Sequence, residues 1–237
     1  MKPVIFFHVP KCAGTSFIEV LNYIYGADDK IICPAMVDEE LNKFLTSGVV
    51  DQYKLFKGHF TAGAAEKIPC YDNSIKISIF RHPIDRCISL YGYLRGHSQN
   101  DIDRINDYQK SHVLYAKAFD LKEILSLPDD SAWKTEYTRS FSQFIDYKHS
   151  ASESADKIIS MLDMIGFVDS LPEFTKKIKK MMWNEKSIDY SLPRMRESTL
   201  SGELVKSYRA LLSDIKFAKI FNKDIEIYDK IKCSLQG

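Results

Sequence analysis

The sequence predicts an α/β fold built on a parallel sheet, and three observations predict it. Four short runs rich in β-branched and aromatic residues, at 4–9, 53–57, 74–80 and 164–168, alternate with longer stretches of helical spacing. The first and third runs pass at once into a Pro- or Gly-containing loop that opens a helix, as strands of a βα unit do. The 237 residues are 45% apolar and 27% charged, enough for one sizeable core. The whole of 1–237 is therefore expected to form a single domain.

Each element follows from local pattern. Residues 4–9 form a compact apolar strand, followed by Pro10-Lys11-Cys12-Ala13-Gly14-Thr15-Ser16 as a tight loop. Phe17, Val20, Leu21 and Ile24 then share one helical face. Residues 26–37 read as irregular and 38–45 as a short helix. The second strand, 53–57, ends in Gly58-His59-Phe60, and the third, where Ile75, Ile77 and Ile79 alternate, ends in Arg81-His82-Pro83. Pro83 suits the first position of a helix running to about residue 94.

The polar stretch 96–109 reads as a loop or lid, and helical patterns follow at 113–127 and 129–146. After the fourth strand, Ser170 is expected to cap a helix with Pro172 in its first turn. Lys176, Lys177, Lys179 and Lys180 near its end agree with the helix dipole and read as a solvated surface. One long helix or two span 202–221, ahead of Asp224-Ile225-Glu226-Ile227-Tyr228.

Composition excludes several classes. Thirty-three Lys+Arg against 32 Asp+Glu leave a net charge of +1, which argues against a polyanion binder of the nucleic-acid type. Cys12, Cys33, Cys70, Cys87 and Cys233 are odd in number and scattered, without a Cys-x-x-Cys pair. Neither a disulfide framework nor a structural zinc site fits, and a reduced compartment does. No apolar run approaches the ~20 residues of a membrane span, so stable membrane insertion is not expected and the location is read as cytoplasmic.

Three polar segments share one address, the carboxyl ends of strands, where ligands bind in open parallel sheets. Lys11 to Ser16 has the makings of an anion cradle. Gly14 lets backbone approach a ligand, Ala13 is small, Thr15 and Ser16 offer hydroxyls and N–H groups at a helix N-terminus, and Lys11 adds a full charge. The order differs from G-x-x-x-x-G-K-[ST], because the lysine precedes the glycine. Arg81 at a strand end and Ser89 two turns into the next helix would together suit a terminal phosphate. His59, near-neutral in titration and preceded by Gly58, is the candidate general base.

Other residues rank lower. His8 reads as structural, and His82 as a neighbour of the Arg81 anion site. His97, His112 and His149 have no specific context. Cys12, beside a helix N-terminus and a lysine, is expected to be more ionised than a free thiol while serving as a small apolar filler. Trp133, Tyr137 and Arg139 are placed near the ligand or in the core.

These residues resemble a known family. Pro10-Lys11-Cys12-Ala13-Gly14-Thr15-Ser16 looks like the 5′-phosphosulfate loop of sulfotransferases that use 3′-phosphoadenosine-5′-phosphosulfate (PAPS). Arg81 to Ser89 resembles their 3′-phosphate segment. The match is to carbohydrate sulfotransferases related to the heparan and chondroitin O-sulfotransferases, bacterial members included. Gly58-His59-Phe60 is similar to the base segment of uronyl 2-O-sulfotransferases. Weaker echoes are Ile165-Gly166-Phe167-Val168, Arg196-Glu197-Ser198 and Asp224 to Tyr228. Cys12 departs from the family's frequent threonine, and His82 from its acid or amide.

The resemblance implies a P-loop-kinase-like three-layer sandwich around a central, mostly parallel sheet. It implies sulfuryl transfer from PAPS, without a metal, to a hydroxyl of a carbohydrate-like acceptor, with an amine as second choice. Lys11 and His59 would be catalytic. Lys11, Cys12, Ala13, Gly14, Thr15, Ser16, Arg81, Ser89 and Arg196 would bind the co-substrate, and the helical part at about 96–160 would form the acceptor side. The alternatives are a P-loop kinase of small molecules and a catalytically silent nucleotide-binding module.

Overall fold

In the parallel sheet, β1 (Val4–Phe7) lies between β2 (Leu55–Gly58) and β3 (Ile75–Phe80), with β4 (Met164–Phe167) beyond β3. All three pairings are parallel. The computed structural model describes residues 2–26, 32–33, 37–48, 50–105, 107–126, 133–142, 144–146, 148–183 and 200–236. Every residue of β1 is buried, which is why its sequence is a continuous apolar run and not an alternating one. Register sets Phe7 opposite both Gly58 and Ser78, so His8 and His59 emerge side by side at the carboxyl edge.

The helices in chain order are α1 (Gly14–Tyr25), α2 (Asp38–Leu45), α3 (Ala62–Ala65), α4 (Pro83–Arg95), α5 (Gln99–Ile102) and α6 (Asp107–Ala118). They continue with α7 (Leu121–Ser126), α8 (Glu136–Ser140), α9 (Ala151–Met161), α10 (Leu171–Trp183), α11 (Gly202–Leu212) and α12 (Ile215–Gln236). Even and odd residues of β1 serve opposite faces. Phe6 meets Phe17 of α1 at 5.0 Å between ring centroids, and Phe17 meets Phe174 of α10 at 5.6 Å. Phe7 and Phe80 instead pack on Phe141, just after α8, at 6.1 and 5.7 Å. Helices thus flank both faces of the sheet. Gly166 lets α10 sit close to β4, since a Cβ there would lie 2.5 Å from the Phe174 ring.

A second apolar cluster joins the outer side of α4, through Cys87 and Tyr91, to Val113 of α6, Leu121 of α7, Leu212 of α11 and Phe221 of α12. Farther along α12, Ile227 and Ile231 belong to the sheet's core, so that helix ties the two clusters together. None of the described helices is long and apolar enough to cross a membrane.

Several expectations change. The polar stretch 96–109 contains α5, opened by a capping box between Ser98 and Asp101, and the first turn of α6. The pattern at 113–127 divides into α6 and α7. Within 129–146 the described helix is the short α8, and residues 127–132 lie outside the described segments. Ser170 sits in a 3-10 turn (Val168–Ser170) and α10 begins at Leu171. The unforeseen α9 is started by a capping box between Ser150 and Glu153. The C-terminal helices divide at 213–214, and α12 runs through Asp224 to Tyr228 because Asp224, Ile227, Tyr228 and Ile231 form its buried face.

Candidate active site

The loop between β1 and α1 owes its shape to two residues in the left-handed region, Lys11 at φ 66° and Ala13 at φ 57°. Each such residue costs roughly 1–2 kcal/mol without glycine's freedom. Helix α1 begins at Gly14 with no side-chain cap, so the N–H groups of its first turn, including those of Thr15 and Ser16, face the loop unclaimed by a capping side chain. Alternating conformations of this kind make a concavity of N–H groups, and the helix dipole adds positive potential. An anion is the ligand this backbone suits.

Gly14 has a second reason to be glycine. A Cβ there would lie 1.9 Å from Cδ2 and Nε2 of His8. The imidazole of His8 cannot retreat, because it stacks on Phe6 at 5.7 Å and on His59 at 4.1 Å. Gly14→Ala is therefore expected to cost about 1–3 kcal/mol by overpacking, read from urea denaturation, and to weaken anion binding at the loop in parallel.

Arg81 follows β3 and turns to the same edge. Its Nη1 donates to the Lys11 carbonyl at 3.3 Å. Tyr137 of α8, fully buried, clamps the Arg81 backbone: its hydroxyl accepts the Arg81 N–H at 3.2 Å and donates to the Arg81 carbonyl. The Lys11 Nζ lies 4.0 Å from the centroid of the Tyr93 ring, a cation–π contact. Tyr93 is one turn beyond Ser89 on α4, so Ser89 stands on the helix face that Lys11 reaches. His82 meets Tyr228 edge-on at 5.5 Å, beside the start of α4.

His59 is partly buried, and its Nδ1 is 2.7 Å from the carbonyl oxygen of His8. A carbonyl only accepts, so the neutral ring carries its proton on Nδ1 and leaves Nε2 with a free lone pair. Burial pushes the His59 pKa below the usual histidine value, against the His8 hydrogen bond and the charge of Glu136, which pull it upward. His8 is lowered further, first by burial and then by His59 and Lys11. Both rings therefore favour the neutral form more than a free imidazole does.

Beneath the site lies a buried charge cluster. Arg86 of α4 and Glu136 of α8 are each 1% exposed and pair at 3.7 Å. Arg86 Nη2 also donates to the Trp133 carbonyl at 2.9 Å. Arg139 Nη2 and the Ser140 hydroxyl both donate to Glu136 Oε1, at 2.6 and 2.9 Å, while the Arg139 side chain remains 46% exposed. Asp224 of α12 accepts the Tyr137 N–H at 3.1 Å, and burial raises its carboxyl to about 7.

The structure brings Lys11, Gly14, Thr15, Ser16, His59, Arg81 and Ser89 to one edge of the sheet, with Cys12 and Ala13 inside the loop itself. Arg196 falls outside the described residues. The Cys12 thiol behaves opposite to expectation: full burial pushes its pKa up to about 12, overriding the nearby cations. It is a filler behind the loop, its Sγ 3.8 Å from the Pro10 carbonyl. His8, read as structural, belongs to the site, and the overlooked signal was its position directly after β1. Tyr137, placed near the ligand or in the core, is buried and grips the Arg81 backbone, whereas Glu136 carried no local signal, since its partner Arg86 lies far away in sequence. Among the described residues no cluster of His, Cys, Asp and Glu is arranged to hold a metal ion.

No match among curated proteins accompanies this site. The model of the sulfotransferase family, however, matches residues 2–229, a span that contains both the Lys11 loop and the Arg81 segment. With nearly the whole length matched, the chain belongs to the sulfotransferase family and is a transferase of sulfuryl groups.

Proposed function

We propose that the chain transfers the sulfuryl group of PAPS to a hydroxyl of a carbohydrate-like acceptor, with Lys11 and His59 as its catalytic residues. One observation carries this reading: the Lys11 loop, Arg81 and His59, distant in sequence, meet at a single sheet edge, with Arg81 Nη1 3.3 Å from the Lys11 carbonyl. The donor set fits a nucleotide with an anion at each end. The N–H concavity, Thr15 and Ser16 hold the 5′-phosphosulfate, and Arg81 and Ser89 hold the 3′-phosphate.

Bound there, PAPS supplies an activated sulfuryl group. His59 Nε2 takes the proton of the acceptor hydroxyl as the acceptor oxygen bonds to sulfur and the bond from sulfur to the 5′-phosphate oxygen breaks. Lys11 and the first N–H groups of α1 stabilise the negative charge that gathers on that leaving oxygen. The products are a sulfate ester and 3′-phosphoadenosine-5′-phosphate (PAP). The helical side at about 96–160, which carries exposed Tyr115 and Phe119, forms the acceptor wall.

Calorimetry tests the nucleotide half. Tight PAP binding without Mg²⁺ and negligible ATP binding are expected, and the reverse preference would point to a kinase. Labelled PAPS with a glycan and metabolite extract, followed by mass spectrometry, identifies the acceptor. Binding of PAP without any transfer across such an extract would favour the silent module. Lys11→Ala should lower kcat by about 10²–10³-fold, the scale for removing one group aimed at developing charge, and change PAP affinity much less.

A further inference from the structure

His8 sits where the base meets the phosphosulfate loop. One face of its imidazole stacks on His59, with centroids 4.1 Å apart and planes 30° apart. Phe6, two residues earlier on β1, lies alongside the same imidazole at 5.7 Å and 17°. Its Cδ2–Nε2 edge rests on Gly14, so closely that a Cβ on that residue would overlap it. Its Nδ1 is shielded from solvent and has no hydrogen-bond partner among the described residues, and its own carbonyl receives the His59 Nδ1–H at 2.7 Å. The contacts shown for this ring are stacking and close packing.

We propose that His8 is a positioning residue for His59: its flat ring, stacked on His59, flanked by Phe6 and seated on Gly14, holds the base in plane so that Nδ1 stays on the His8 carbonyl and Nε2 points to the acceptor. This rests on the reading of His59 as the base. Two stacked imidazoles cannot both carry charge cheaply, and His8 is the more strongly depressed of the two. The proton taken up in the reaction therefore stays on His59, facing the π surface of a neutral ring. Besides the hydrogen bond to the His8 carbonyl, the charged groups that act on His59 are Glu136, Arg139 and Lys11. The ring also joins the base mechanically to the loop, since His59 cannot tilt toward it without moving the ring that rests on Gly14.

The test is nitrogen-15 histidine NMR of the full chain, which reads tautomer and titration midpoint without an acceptor. In the parent, His59 is expected as the Nδ1–H tautomer, titrating below the ordinary value of about 6.5. His8→Phe keeps a flat ring and should preserve both properties. His8→Ala opens the stack to water, so His59 should mix its tautomers and its midpoint should rise toward about 6.5. Should the alanine variant fail to fold, His8→Leu fills the same space without a flat face and is expected to behave as alanine would.

Unchanged tautomer and midpoint in the folded alanine or leucine variant would overturn the proposal. So would a folded phenylalanine variant that shifts as much as those do, or a parent in the Nε2–H form. The underlying reading fails separately: His59→Ala with full transfer activity removes the base assignment whatever the NMR shows. An inactive His59→Ala together with an unshifted His8→Ala removes only the role of His8.

Discussion

His59→Ala is expected to lose about 10²–10⁴-fold in the rate of sulfuryl transfer, the range for removing a positioned general base, while PAP binds as before. The two effects separate because the proposed nucleotide contacts belong to the Lys11 loop, Arg81 and Ser89, none of which hydrogen-bonds the His59 ring. A pH profile sharpens the expectation. Burial lowers the His59 pKa, so the neutral, competent ring persists into mild acid, and the rate should fall only as pH drops through a midpoint below the ordinary histidine value. Raising pH above neutrality adds no base, because the ring is already neutral. Quench-flow or steady-state assays with the identified acceptor, beside PAP calorimetry, check both halves. Full activity in the alanine variant would assign proton removal elsewhere.

Glu136→Ala is expected to destabilise the fold by about 3–5 kcal/mol, the largest stability change anticipated for a single side chain here. Glu136 is 1% exposed and faces Arg86, which is equally enclosed. Burial opposes the Arg86 charge, yet the nearby carboxylates, Glu136 first, more than offset it and keep the guanidinium ionised. Removing the carboxylate leaves that charge in an apolar setting and also frees Arg139, which Glu136 holds at 2.6 Å. Urea denaturation of parent and variant measures the loss, and a difference under about 1 kcal/mol would show that the pair adds nothing beyond an ordinary buried contact. The double variant Arg86→Met with Glu136→Leu should recover much of the deficit, since replacing both ions avoids the desolvation that neither alone escapes.

That cluster also explains the architecture of the site. Arg86 lies on α4, Glu136 on α8 and Asp224 on α12, and Tyr137 next to Glu136 grips the backbone of Arg81. The segment proposed to bind the 3′-phosphate is thus fastened from below by side chains that touch no ligand.

The four strands, and the sheet edge to which the candidate residues come, were legible in the sequence by itself. A buried parallel strand must be a short apolar run, and the residue types after its end must supply whatever polar chemistry the sheet edge offers. Lys11, Gly14, Arg81 and His59 were proposed as candidates that way, as local patterns with local causes. Tertiary structure alone decided that His8 stacks on His59, because the contact depends on the pairing of β1 with β2 across 51 residues. It also decided that the Cys12 thiol is enclosed and so un-ionised, that Arg86 and Glu136 neutralise each other inside the protein, and that α12 continues through Asp224 to Tyr228. Those outcomes turn on which surfaces lose water on packing. Periodicity along a chain states which faces are apolar, but the partner that covers each face, and hence the charge state of a group trapped between them, is chosen only when distant segments meet.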